Sequence, residues 1–180
     1  MHGIIFAELK RFVDEAHGPG VWDKLLIESR IGAKVYVAMD AYPDEEIVKL
    51  AATAAKLLGV TVQQIYESFG EFMVPMFVKR YRHLLKPDWR TLDVIQHTES
   101  TIHKIIRINN PGAQPPQLRC ARVSAREVLL TYDSPRRMCG IAKGICKGLA
   151  RQFSEGIRLA ESTCMLHGAP ECRISISLVR

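Results

Sequence analysis

Near residue 110 the hydrophobic period of this chain first changes, and that change limits the folds open to it. Before it, apolar residues recur at helical spacing. In "IIFAELKRFVDEA" they fall at 5, 6, 9, 12 and 13, one stripe of an amphipathic helix. Gly18, Pro19 and Gly20 break it, and "GVWDKLLIESR" starts another. "YPDEEIVKLAATAAKLLG" opens on acids and closes on Gly59, which complements a helix at both ends. "TVQQIYESFGEFMVPMFVKRY" reads as one more helix, with Thr61 as N-cap and Pro75 as a kink. "WRTLDVIQHTESTIHKIIRI" reads as a long helix stopped by "NNPG", with an unusually polar middle, "QHTES".

After that point the period drops to two. "QLRCARV" and "EVLLTYDS" read as strands around a short turn. "MCGIAKGICKGLARQFSEG" returns to helical spacing, and Gly140, Gly144 and Gly148 at every fourth position allow another group to approach closely. "IRLAEST" and "CRISISLV" alternate again, joined by the hairpin-like "CMLHGAPE". Helices first and antiparallel strands afterwards predict an α+β fold. The expected organisation is a single domain, with a helical lobe over about residues 1–60 and further helices and the sheet over about 61–180.

Composition narrows the function classes. Hydrophobic residues make up 47% of the 180 and charged residues 24%, as in ordinary globular proteins. No stretch approaches the roughly 18 apolar residues of a membrane span. The N-terminal "MHGIIFAELKRFVDE" turns charged too early for a secretory signal, so the expected location is cytoplasmic. The net charge of +6 comes from dispersed basic residues, with no nucleic-acid-binding signature. Five cysteines, an odd number, argue against a disulfide framework and leave metal binding or buried thiols.

The segment "EVLLTYDSPRRM" carries the most specific chemistry. In a strand, Val128, Leu130, Tyr132, Ser134 and Arg136 share one face. The apolar part enters a core, and the phenol, hydroxyl and guanidinium fall at its rim, where Pro135 ends the ladder. Two hydroxyl donors and a planar cationic fork suit an apolar ligand with anionic tails; a strand end that merely reaches solvent is the alternative on spacing alone. Upstream, His103 lies among Ile102, Ile105 and Ile106, followed by Pro115 and Pro116.

These elements together resemble the haem–nitric oxide/oxygen-binding (H-NOX) domains, relatives of the sensor domain of soluble guanylate cyclase. The resemblance spans essentially the whole chain. It includes "MHGII", Trp22 after a Gly-Pro-Gly turn, "YPD" at 42–44 and "SFGEF" at 68–72. It implies a haem b held between the N-terminal lobe and the C-terminal half. His103 is then the proximal ligand of the iron, and Tyr132, Ser134 and Arg136 clamp the propionates. Pro116 takes the place where the family packs a proline against the macrocycle, with Pro115 beside it. Ile5, Phe77 and Ile145 match pocket-lining positions. His97 is a rival ligand, but the prolines line up with the family only when His103 binds.

The resemblance also implies which gas binds. Oxygen-binding members carry a distal tyrosine, where this chain has Ile141; the other polar distal positions match Leu9 and Met73. With no donor there, nitric oxide and carbon monoxide complexes are expected, and little oxygen binding. The Met73 thioether is itself a haem ligand type, so a six-coordinate state with His103 is an alternative. Nitric oxide would weaken or release His103, and the strained haem would relax and shift the N-terminal helices. The signal would pass to a partner, in this family commonly a histidine kinase or a cyclic-dinucleotide enzyme. No catalytic role is expected, since an apolar distal wall lacks the acid–base pair of a peroxidase.

The cysteines suggest a second function. Cys139, Cys164, His167 and Cys172 form a possible zinc set; buried idle thiols are the alternative. Some bacterial members carry a similar cluster linked to redox sensing, but their hairpin positions do not match one for one, which leaves the ligands open. A zinc-thiolate redox sensor with a structural haem is therefore the second reading. Cys120 and Cys146 read as packed apolar side chains.

Overall fold

A computed structural model describes residues 1–110 and 112–179; Pro111, part of the expected "NNPG" stop, lies outside them. Among the described residues the chain forms seven α-helices and one four-stranded antiparallel sheet. Helices α1 (Gly3–His17), α2 (Val21–Glu28), α3 (Asp44–Leu58) and α4 (Val62–Arg80) come first. Three acids occupy the first turn of α3, and Gly59 ends it in the left-handed conformation at φ 66°. Thr61 caps α4 through a reciprocal pair of hydrogen bonds with Gln64. Pro75 lies inside α4 without ending it.

The N-terminal lobe has an aromatic core. Phe6 stacks on Tyr36 at 4.2 Å, and Tyr42 meets both edge-on. Glu46, early in α3, accepts from Lys34 and from the Tyr36 hydroxyl, each at 2.6 Å. These contacts hold the segment between α2 and α3 against the helices, and its end makes an isolated antiparallel bridge from Ala41 to His2.

The long helix expected after Pro87 is three pieces: α5 (Thr91–His97), a π-helical turn (Glu99–His103) and α6 (Lys104–Asn109). The interruption coincides with the polar "QHTES" patch. Thr98 donates to the Val94 carbonyl at 2.7 Å, and Ser100 and Thr101 donate to that of His97. Hydroxyls that bond back to the preceding turn compete with the regular ladder, and the helix accommodates one extra residue.

Strands β1 (Gln117–Ser124), β2 (Glu127–Asp133), β3 (Ile157–Thr163) and β4 (Cys172–Leu178) lie in the order β1-β2-β4-β3. Helix α7 (Cys139–Gln152) runs between β2 and β3 in sequence. The inner face of the sheet presents Val128, Leu130, Ile174 and Ile176 to Leu92 and Ile95 of α5 and to Cys146 and Leu149 of α7. The close approach permitted by the glycines of α7 is made by α4. A Cβ on Gly144 would lie 1.9 Å from the Glu67 carbonyl oxygen. No helix among the described residues is long and apolar enough to cross a membrane.

Candidate functional site

His103 is the last residue of the π-helical turn, and its backbone N–H reaches the Thr98 carbonyl at 3.0 Å. The side chain is 12% exposed. Its Nδ1 lies 2.8 Å from Glu99 Oε2, which commits that nitrogen and leaves Nε2 as the candidate ligand atom. Glu99 is a hub. Arg107 donates to its other oxygen at 2.7 Å, and the Leu118 N–H at the start of β1 donates at 3.2 Å. Burial alone would raise the Glu99 pKa; the hydrogen bonds from Arg107 and His103 outweigh it and hold the carboxyl below its ordinary value. Burial lowers the pKa of His103, opposed by Glu99. The two directions agree on a neutral imidazole donating to a carboxylate. His97 has a different surrounding: its ring stacks on Trp89 at 4.6 Å.

A cavity of about 370 Å³ adjoins this network. Arg107, Pro115, Pro116, Ser134 and Arg136 all border it. Strand alternation brings Val128, Leu130, Tyr132 and Ser134 inward, as expected, but β2 ends at Asp133. Arg136 arrives through a turn instead: its N–H donates to Ser134 Oγ at 3.3 Å, since Pro135 breaks the ladder. Its guanidinium donates from Nε to Asp44 at 2.7 Å and from a terminal nitrogen to the Gln114 carbonyl. That leaves further donors of the fork for an anion. Tyr132 does not border the cavity. It is buried beside Cys139 and Cys172, and burial pushes its hydroxyl up to about 12, against hydrogen bonds with Ser134 and the Met138 backbone.

The remaining predicted lining residues are apolar and grouped. Leu9 and Met73 are buried in one cluster, with Ile5, Phe77 and Ile141 packed against it; Ile145 packs against the neighbouring sheet cluster. Tyr66 is the buried hydroxyl of the first cluster. It lies two turns before Met73 on α4 and close to Tyr132, whose charge adds to the effect of burial in raising its pKa to about 12.

The thiols form a second group. Cys139, Cys164 and Cys172 are buried, and with Glu161 their ligand atoms all lie within 4.8 Å of one another. The sulfur of Cys164 is 3.8 Å from each of the other two. Tetrahedral zinc with bonds of about 2.3 Å spaces its thiolates about 3.8 Å apart. His167, expected in this set, is outside it, and Glu161 stands in its place. Cys164 has extended backbone and is buried, whereas His167 is exposed on the short 3₁₀ turn that follows. Gln63 of α4 touches the group, accepting from the Gly140 N–H at 3.0 Å and lying 3.8 Å from the Cys139 sulfur. Glu99, Arg107, Glu161 and Gln63 carry no mark in the sequence, and Asp44 is marked only as the end of "YPD". The spacing Glu99-x3-His103 was the available signal for the first.

One nearly buried imidazole held at Nδ1 by a carboxylate, an apolar cluster and a cavity with cationic and hydroxyl donors define a class: proteins that hold an apolar, metal-bearing cofactor with acidic tails. The family model described as Haem-NO-binding matches residues 2–161. The chain belongs to this H-NOX family of haem-based gas-sensor domains. An H-NOX protein from S. oneidensis, solved in the Fe(II)NO ligation state, superposes with a TM-score of 0.92 over the full length of both chains, at 26% identity. An H-NOX protein from K. algicida gives 0.88 at 20% identity, over all of this chain and 97% of that one. The soluble guanylate cyclase gcy-35 of Caenorhabditis elegans is 24% identical over 159 residues, 85% of this chain. The chain spans 23% of the length of that cyclase.

Proposed function

We propose that this chain senses nitric oxide, and binds carbon monoxide, at a ferrous haem b, with little affinity for oxygen. The observation that carries the reading is His103: a nearly buried imidazole whose Nδ1 is taken by Glu99, beside a cavity bordered by Pro116, Ser134 and Arg136. His103 Nε2 would ligate the iron, Ser134 and the free donors of Arg136 would receive the acid groups, and Tyr132 would hold Ser134 from behind. Pro116 would bear on the cofactor. Haem, once bound, would supply an iron able to take a diatomic gas. Leu9, Met73 and Ile141 offer no donor to a gas there, which favours nitric oxide and carbon monoxide over oxygen. Release of His103 would free the π-helical turn, and the resulting shift would pass to a signalling partner such as a histidine kinase or a cyclic-dinucleotide enzyme.

The test is an absorption spectrum of the reduced protein, alone and with each gas. A five-coordinate nitrosyl, a carbon monoxide complex and an unchanged spectrum in air support the reading. His103→Gly should abolish ligation by the protein. Colourless protein from iron-replete cells sinks the proposal, and iron ligation that survives His103→Gly moves it to Met73 or His97.

The thiol group supports a second reading, a zinc site that responds to oxidants. Its carrying observation is the sulfur spacing of 3.8 Å, which already suits tetrahedral zinc. The ligands would be Cys139, Cys164 and Cys172, with Glu161 as the fourth. Metal analysis should find one zinc per chain, lost in Cys172→Ser and released by peroxide. Protein purified without chelators and free of zinc would end this reading.

A further inference from the structure

Glu99 and His103 are four residues apart, a spacing that places two side chains on the same side of a helix. Here the intervening turn is π-helical, a feature concentrated at functional sites. Both Glu99 oxygens are engaged. Oε2 accepts from His103 and from the Leu118 N–H, and Oε1 accepts from Arg107. Each donor belongs to a different element: the π-helical turn, β1 and α6. Leu118 is two residues beyond Pro116, and Arg107 borders the same cavity as Pro116, Ser134 and Arg136.

Given that His103 is the haem ligand, we propose that Glu99 is its positioning residue: the carboxylate fixes the Nδ1–H tautomer, sets the donor strength of Nε2, and ties the imidazole to β1 and α6. A carboxylate on the far nitrogen makes an imidazole a stronger donor to a metal. Arg107 acts the other way, because it draws on the same carboxylate and limits the charge that reaches the ring. The donor strength of His103 is therefore a balance of the two. The same hub links any displacement of the imidazole to the stretch that carries Pro116 and to the cavity wall at Arg107.

Opposite signs test this. In the reduced, haem-loaded protein, Glu99→Gln should shift the iron–histidine stretching band to lower frequency and raise the reduction potential. Haem affinity should fall on the order of 10-fold, as is usual when a ligand loses its outer partner. Arg107→Gln should shift the same band to higher frequency and lower the potential. A role in packing alone predicts no such reversal. A band and potential unmoved in Glu99→Gln, or moved the same way by both variants, overturn the proposal. If Glu99→Gln fails to fold, the direction of the Arg107→Gln shift still decides. A wild-type protein with no iron–histidine band, whose iron ligation also survives His103→Gly unchanged, refutes the ligand assignment itself, which separates that failure from this one.

Discussion

Helix α4 meets its two neighbours in different ways. Against α7 it packs backbone to backbone. Added Cβ atoms on Gly70 and Gly144 would lie 2.3 Å and 1.9 Å from the carbonyl oxygens of Ile141 and Glu67. Against the N-terminal lobe it packs through side chains: Phe12 of α1 tilts over Phe69 and Phe72 at 5.9 and 5.2 Å, and Arg11 covers the Phe72 ring. Beyond α4, the lobe is fastened to the cavity rim by the Asp44–Arg136 pair. Backbones in contact allow one register, because no side chain can re-pack to absorb a slip. Side chains in contact can exchange rotamers. The first seam makes α4 part of one stiff body with α7 and the sheet. The second can re-pack, and it is the softer of the two.

The largest effect should follow from filling the stiff seam. Gly144→Ala puts a methyl group onto the Glu67 backbone, which has no rotamer to yield. A loss of about 3 kcal/mol is expected in urea unfolding. Gly156→Ala is the control: its Cβ would meet a Val179 methyl, the end of a side chain that can turn away, so little change is expected. Equal losses in the two variants would show that backbone contact is not what stiffens α4.

The side-chain seam should respond locally. Phe12 is half-buried, so Phe12→Ala should cost about 2 kcal/mol, below the range for a fully buried ring. Hydrogen exchange should rise through α1–α3 while α4 and α7 stay protected. Uniform loss of protection would mean that the lobe and the sheet half unfold as one unit, and that the comparison of seams has no dynamic content.

How much of this was legible in the sequence depends on range. The period change predicted the element order, because helical stripes and strand alternation are local patterns that the tertiary structure kept. The Thr61 cap and the Gly59 stop were legible for the same reason. The glycines of α7 announced a close approach but not the partner, since which helix fills the gap is a long-range matter. The π-helical turn was hidden because hydroxyl back-bonding competes with the ladder too finely for periodicity to register. Strand alternation reached Ser134 but not Arg136, which a proline turn delivers. For the thiol group, sequence proximity favoured His167, whereas the strand brought Glu161 in from three residues before Cys164.

The smallest effect tests the fastening itself. Asp44 meets Arg136 at 2.7 Å and the Met1 ammonium at 2.7 Å. Burial opposes ionisation of its carboxyl, but these two cations overcome it and lower its pKa. The stabilisation is therefore complete above the ordinary Asp value of about 3.9 and is lost as pH falls through the lower folded value. With the Asp44 side chain 38% exposed, solvent screens the pair, and Asp44→Asn should cost only about 0.5–1 kcal/mol at neutral pH. The gap between wild type and Asp44→Asn should close below about pH 4. A gap that persists in acid would mean that Asp44 acts by shape or hydrogen bonding rather than by charge. The lobe would then be held to the rim by something other than the ion pair.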